Sequence, residues 1–591
     1  MTSRSLVLLL ALTTGLVPAF GVGTAYAGQA TSQADAALRA LADDYFDNFY
    51  LPTGPANATS VGVHRYDTQL EDYTRAGAAR QARELRRYLA KFDAVDAATL
   101  SEPVRVDREL VLSSIRSSLL TLATTRPLER DPDSYSSGIT NAAFVLMERE
   151  FAPADERLRL VTARERKMPA ALALARTNLR NPPEIYTRIA LEQLPGAIGF
   201  FENDLPSAFT AAHDAVAIAE FRAANAAVIA ALRHYEKWLR TYELPRSHGD
   251  FRLGAKAFMA KLAAEEMVDT PLPRLLEIGS NDLRRNQREF ARVAHELEPD
   301  KTTQEVLGLL AADHPAPAAL LDTFRATLDG LVEFIEQHQL VTIPSTIRPI
   351  LHESPPFLRA TTLASMDTPG PFESAAQEAY FNVTLPEPAW DAARAQGFIE
   401  YFSYPVIKST AIHEAYPGHY VQFLWMQRID DRVRKLLGAA TNSEGWAHYC
   451  EQMMLDEGYG APGVGAMDAR DSALLHLGQL QDALLRDARF IVGIRLHTEH
   501  MSLEEAIDFF VREGYQSRQT AEIETKRGTS NPTYLYYTLG KLQIQKLRAD
   551  VAAREGKDFR LKDFHDRFLQ QGFPPIRLVR RAFLHDDSPT L

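Results

Sequence analysis

The 591-residue chain predicts a mainly α fold of two helical lobes with a deep cleft and a small β-ribbon. Three observations carry this expectation. Ala, Leu, Arg and Glu recur at helical spacing over long spans, and strand-like alternation is rare. One stretch, residues 343–390, breaks the pattern and is rich in Pro, Thr and Ser. The length allows two or more domains at roughly 100–200 residues each, and 46% hydrophobic with 24% charged residues is an ordinary globular composition.

The first element, residues 1–27, reads as a secretory signal. Arg4 is its only charge, Leu6 to Leu12 starts the apolar core, and Ala25 and Ala27 place small residues before a cut at Gly28. Thr13, Thr14, Gly15 and Pro18 interrupt the apolar stretch, which favours cleavage over a membrane anchor. The chain is therefore expected in the periplasm or secreted, with no membrane attachment after cleavage. Its only cysteine is Cys450, so no intrachain disulfide can form, and core size must supply the stability. No cysteine-protease signature surrounds that thiol. A net charge of −12 without a basic block argues against nucleic-acid binding, which needs phosphate neutralisation.

Residues 28–345 form the expected N-terminal helical lobe, with helices at Ala79 to Phe92, Glu156 to Leu179, Ala211 to Glu243 and Asp322 to Gln337. Ala379 to Leu385 then has strand composition and is read as part of a ribbon crossing between lobes. Its edge could pair with an extended peptide, although a plain connecting ribbon is the preferred reading. Residues 346–591 form the C-terminal lobe, with helices at Asn442 to Asp456, Asp471 to Thr498 and Leu503 to Glu513. The boundary near 345 is soft, and the halves could share one core.

The strongest chemical signal is His413-Glu414-Ala415-Tyr416-Pro417-Gly418-His419. It is like His-Glu-x-x-His with two extra residues. In the four-apart form both imidazoles grip one zinc from one helical face, and the Glu serves as general base. Six helical steps put the two rings roughly 240° apart, so a regular helix cannot deliver both. Pro417 and Gly418 offer a local bulge that swings His419 back. The competing reading is a helix end with two unrelated histidines. A second segment, Ser443-Glu444-Gly445-Trp446-Ala447-His448, lies about 25 residues on and places Glu444, His448 and Glu451 along one helical face. A Glu on a following helix is a common third zinc ligand, and Glu444 fits. The small Gly445 and Ala447 allow a neighbouring helix to approach closely.

Together the two segments resemble the bacterial family called domain of unknown function 885, grouped with gluzincin-like metallopeptidases. The resemblance implies a zinc-dependent peptidase of mostly helical, two-lobed fold with the metal deep in a cleft. It implies His413, His419 and Glu444 as ligands of one zinc per chain and Glu414 as general base. His448 departs from the apolar residue expected there, so its role is open. The family-like Tyr-x-x-Gly selects Tyr537 and Gly540, and makes Tyr537 an oxyanion donor or a packed tyrosine. His497 stands at a family-like position, where it would hold substrate, stabilise the oxyanion or sit as a satisfied structural histidine. Arg527 could clamp a peptide carboxylate, but reads first as part of a solvated basic turn.

The function expected is a secreted zinc metallopeptidase acting on short peptides, as an exopeptidase or oligopeptidase. A zinc amidase acting on a non-peptide amide and a helical periplasmic binding or scaffold protein without catalysis are the alternatives. Substrate identity and oligomeric state are not readable.

Overall fold

The computed structural model describes residues 32–591 apart from 356–358, 360–361, 388–389 and 465–466. The signal-peptide expectation at residues 1–27 falls outside the described residues. Helices dominate, and the expected ones form at Arg75–Asp93, Leu320–His338, Ala440–Asp456, Ala469–Thr498 and Leu503–Arg512. The span Glu156 to Leu179 instead divides into Ala154–Glu165 and Met168–Asn178. Pro169 lacks an N–H and would clash with the preceding turn, so the helix restarts there. Asp214 caps the helix Ala215–Trp238 by accepting from the amides of Val216 and Ala217. By length and composition alone, the segment Ala215–Arg246 is apolar enough to cross a membrane. Here Phe221, Val228, Leu232 and Tyr235 are buried in a packed core while Glu220, Arg222 and Arg233 are exposed, the pattern of an amphipathic core helix.

The expected strand forms as β3 (Tyr380–Val383) in a three-stranded sheet with β1 (Ile350–Glu353) and β2 (Ala364–Asp367). Strand order is β1-β3-β2, with β1 parallel and β2 antiparallel to β3. Register pairs Ile350 with Tyr380, and Ala364 with Val383. The open edge expected at Tyr380 to Leu385 therefore does not exist, because β3 is paired on both sides. Among the described residues β1 and β2 are the edge strands of this sheet.

Hydrophobic packing runs across residue 345. Phe324, Leu331 and Ile335 share one buried cluster with Phe381, Phe402, Tyr416 and Trp446. A second cluster joins Leu110 and Ile115 to Val433, Leu437 and Leu578. A third joins Leu283 and Phe290 to Leu480, Leu484 and Ile491. The helix Ala469–Thr498 is buried along most of its length and packs against Leu272–Leu297 and Tyr404–Glu414.

Candidate metal centre

The helix Tyr404–Glu414 carries His413 and ends at Glu414. The next helix, His419–Met426, begins with His419. Between them the amides of Ala415 and Tyr416 both donate to the Ala411 carbonyl, and the Gly418 amide reaches back to Ile412 at 3.0 Å. Gly418 is required by this fold-back. A Cβ on it would stand 1.8 Å from the His413 carbonyl oxygen. The chain thus makes a sharp step, and the two imidazoles meet with centroids 4.9 Å apart.

Glu444 projects from the helix Ala440–Asp456 into the same point. Its Oε2 lies 3.6 Å from His413 Nε2 and 3.2 Å from His419 Nε2. One ligand atom from each of the three residues falls within 4.8 Å of the others. Donors held about 2.0–2.2 Å from one zinc ion stand roughly 3–3.5 Å apart, so small side-chain adjustments bring this set onto a metal. Two imidazoles and one carboxylate suit zinc, and also other transition metals.

A buried network stands behind the ligands. Glu451, two turns after Glu444, receives His413 Nδ1 at 2.6 Å and His448 Nδ1 at 3.0 Å. Arg486 pairs with the same carboxylate at 3.0 Å. A carboxylate on Nδ1 fixes the His413 ring and turns the Nε2 lone pair outward, the usual support of a metal-binding histidine. Burial and the Arg486 charge both push the His413 pKa down, but Glu444 and Glu451 outweigh them and raise it to about 9. Burial works against ionised Glu444, yet His419 and His413 hold its carboxyl well below the usual range. A pair of carboxylates that holds a proton this firmly attracts a divalent cation for the same electrostatic reason. Among the described residues His419 Nδ1 and His448 Nε2 are buried without a hydrogen-bond partner. Burial, opposed by Glu451, lowers the His448 pKa to about 3 and keeps that ring neutral. His448 therefore supports Glu451 from behind the ligands.

Two glycines make the geometry possible. A Cβ on Gly445 would stand 2.5 Å from the Gly540 Cα, and one on Gly540 would stand 2.0 Å from the Thr441 carbonyl oxygen. Helices Ala440–Asp456 and Tyr536–Glu555 thus pack backbone to backbone, as the small residues predict. This contact sets Tyr537 beside the ligands, its ring 6.1 Å from that of His413. Burial raises the Tyr537 pKa, so the hydroxyl keeps its proton.

The ligand set opens on a pocket of about 500 Å³ that Glu414, Tyr537, Arg486, Arg489 and Arg527 also line. Thr362 to Met366 of the β2 segment form one wall, and Asp131, Asp133, Tyr186 and Gln193 of the N-terminal half another. Among the described residues the Glu414 side chain makes no hydrogen bond.

Two readings of single residues need correction. His497 does not reach the pocket. Its Nε2 bonds the Gly528 carbonyl at 2.8 Å and its ring lies edge-on to Phe251, so it ties two helices together within the core. Burial lowers its pKa to about 4, leaving a neutral ring that donates to that carbonyl. Arg527 is not in a solvated turn. It lies within the helix Arg518–Ser530, lines the pocket and donates to the Tyr537 hydroxyl at 2.7 Å. Glu451 and Arg486 have roles that sequence reasoning did not assign. Arg486, Asp487 and Arg489 inside the apolar run of the helix Ala469–Thr498 were the available signal, because charges in a buried helix need partners.

The family described as "Bacterial protein of unknown function (DUF885)" matches residues 55–583. The chain belongs to this family. A solved structure, a "putative lipoprotein of unknown function" from Shewanella oneidensis, is 25% identical with a TM-score of 0.74, covering 94% of this chain and 100% of that one. A "putative lipoprotein" from Colwellia psychrerythraea is 16% identical with a TM-score of 0.77, covering 93% of this chain and 99% of that one. No curated protein matches the chain. The DUF885 fold is thus shared over nearly the whole length of these proteins.

Proposed function

We propose that this DUF885 protein is a zinc-dependent metallopeptidase of the gluzincin type that hydrolyses short peptides outside the cytoplasm. The observation that carries this reading is the convergence of His413, His419 and Glu444, with Glu414 alongside, on one pocket. Zinc held by these three residues would supply a Lewis acid and a water acidified toward pH ~7. Glu414, at the helix end with its carboxylate free, takes the proton of the attacking water and returns it to the leaving amine. Tyr537 keeps its hydroxyl proton and points it where the scissile carbonyl oxygen gains charge. Arg527, by donating to the Tyr537 oxygen, leaves the tyrosine O–H to face the substrate. The unpaired edge of β2 offers amides and carbonyls to an extended peptide backbone. The lipoprotein names of the two solved relatives and the signal-like residues 1–27 both support a site beyond the inner membrane.

The test is metal analysis together with one substitution. The purified protein is expected to hold one zinc per chain, and His413→Ala to lose it. Glu414→Gln is expected to keep the zinc and lose hydrolysis of short peptides by about 10²–10⁴-fold. Full activity in Glu414→Gln, or a protein that binds no transition metal, overturns the reading.

A further inference from the structure

Building on the peptidase reading, we propose that Arg527 binds the free C-terminal carboxylate of the substrate, so that the protein is an exopeptidase releasing C-terminal fragments of at most three residues.

Three arginines line the pocket, and two are already neutralised. Arg486 pairs with Glu451 at 3.0 Å. Arg489 holds Glu524 through two bonds of 2.6 and 2.8 Å. Among the described residues Arg527 forms no ion pair, and its side chain bonds only the Tyr537 hydroxyl. Glu524 and Glu444 attract the guanidinium from beyond ion-pair distance and keep it charged, but neither binds its N–H donors. A buried guanidinium with unused donors is completed by a directly bound anion. The planar fork, with most of its N–H donors unused, matches a carboxylate in shape and charge.

Position defines the substrate further. The Tyr537 ring is 6.1 Å from the His413 ring and 5.6 Å from the Arg527 guanidinium carbon. One phenol ring therefore separates the metal ligands from the cation. An extended peptide advances ~3.3–3.6 Å per residue, so no more than three residues fit between the scissile bond and a carboxylate on Arg527. An internal stretch of polypeptide offers no anion at that distance unless a side chain supplies it.

The experiment uses the full-length, zinc-loaded protein and one peptide in three forms: the free acid, the C-terminal amide, and an amide ending in Glu. Mass spectrometry reads the fragments released. The free acid is expected to be cleaved about 10- to 100-fold more efficiently than either amide, the range set by one lost charge-assisted contact. Arg527→Gln is expected to lower cleavage of both forms through the lost bond to Tyr537, and to lower the free acid about 10- to 100-fold further, so that the acid's advantage disappears. Equal cleavage of acid and amide overturns the proposal. So does an equal loss on both in Arg527→Gln, which would leave the arginine serving Tyr537 alone. Rescue by the terminal Glu side chain would move the anchor to a side-chain carboxylate and also overturn it. If Arg527→Gln does not fold, Arg527→Lys keeps the charge without the fork and is expected to show an intermediate preference. Calorimetric binding of acid and amide to the Glu414→Gln protein reads the anchor without turnover. A binding preference for the acid with no hydrolysis in the parent would retire the peptidase reading and keep the carboxylate site, whereas equal binding of both forms, or of neither, overturns the site.

Discussion

Glu451 and Glu165 are both wholly buried carboxylic acids, and their surroundings give them opposite behaviour. Glu451 has three partners, His413, His448 and Arg486, which hold it ionised well below the usual range against the cost of burial. Its charge orients the His413 ring and raises the basicity of its Nε2. Glu451→Gln is expected to weaken zinc affinity about 10- to 100-fold, read by competition with a chromogenic chelator. Unchanged affinity would remove Glu451 from the centre. Among the described residues Glu165 has no hydrogen-bond partner on either oxygen, and burial alone raises its pKa to about 9. The folded state therefore holds a proton that the unfolded chain releases near pH 4.5. Stability from this group is complete below that value and is lost as pH rises toward 9. Glu165→Gln should thus raise stability at pH 8, on the order of 1–4 kcal/mol, and gain nothing of this kind at pH 4.5. Urea unfolding at the two pH values measures the difference. An equal change at both would show that the carboxyl is not held neutral.

At the scale of elements, the centre depends on two close backbone approaches. The first is the step between helices Tyr404–Glu414 and His419–Met426, where Gly418 touches the His413 carbonyl. Gly418→Ala must push the strands of this step apart and carry His419 away from Glu444. The expected outcome is a folded protein with well under one zinc per chain, measured by metal analysis beside a thermal melt. Full zinc occupancy would mean that the step tolerates a side chain. The second approach, Gly445 on Gly540, holds Glu444 and Tyr537 in register. Much at this scale was legible in the sequence. Helical spacing located six of the seven named helices to within about five residues, missed the break at Pro169 and did not name Leu272–Leu297, while the Pro-Gly pair announced the step before His419. The strand pairing was not legible. Nothing local to Ala379–Leu385 states that Ile350–Glu353 and Ala364–Asp367 flank it on both sides, so composition alone leaves an exposed edge there possible.

The whole molecule assembles the pocket from distant parts of the chain. Asp131, Asp133, Tyr186 and Gln193 face the ligands from the N-terminal half. The helix Leu320–His338 supplies Phe324, Leu331 and Ile335 to the cluster that packs under Tyr416 and Trp446. Residues 346–591 expressed alone would expose that cluster and lose one pocket wall. They are expected to show no cooperative thermal transition and to bind zinc weakly. A cooperative melt with parent affinity would establish the second half as an independent domain.

Composition, helical periodicity and two short motifs determined the helical class and singled out His413, His419, Glu444 and Glu414, because each depends on spacing along one or two neighbouring helices. The roles of Glu451, Arg486, Arg527 and His497 were decided only in three dimensions. Each depends on a partner 10 to 38 residues away, and chain folding alone chooses which buried charge meets which. His497 and Arg527 show the consequence. The histidine found a carbonyl in the core, and the arginine found a place in the pocket wall with no anion of its own.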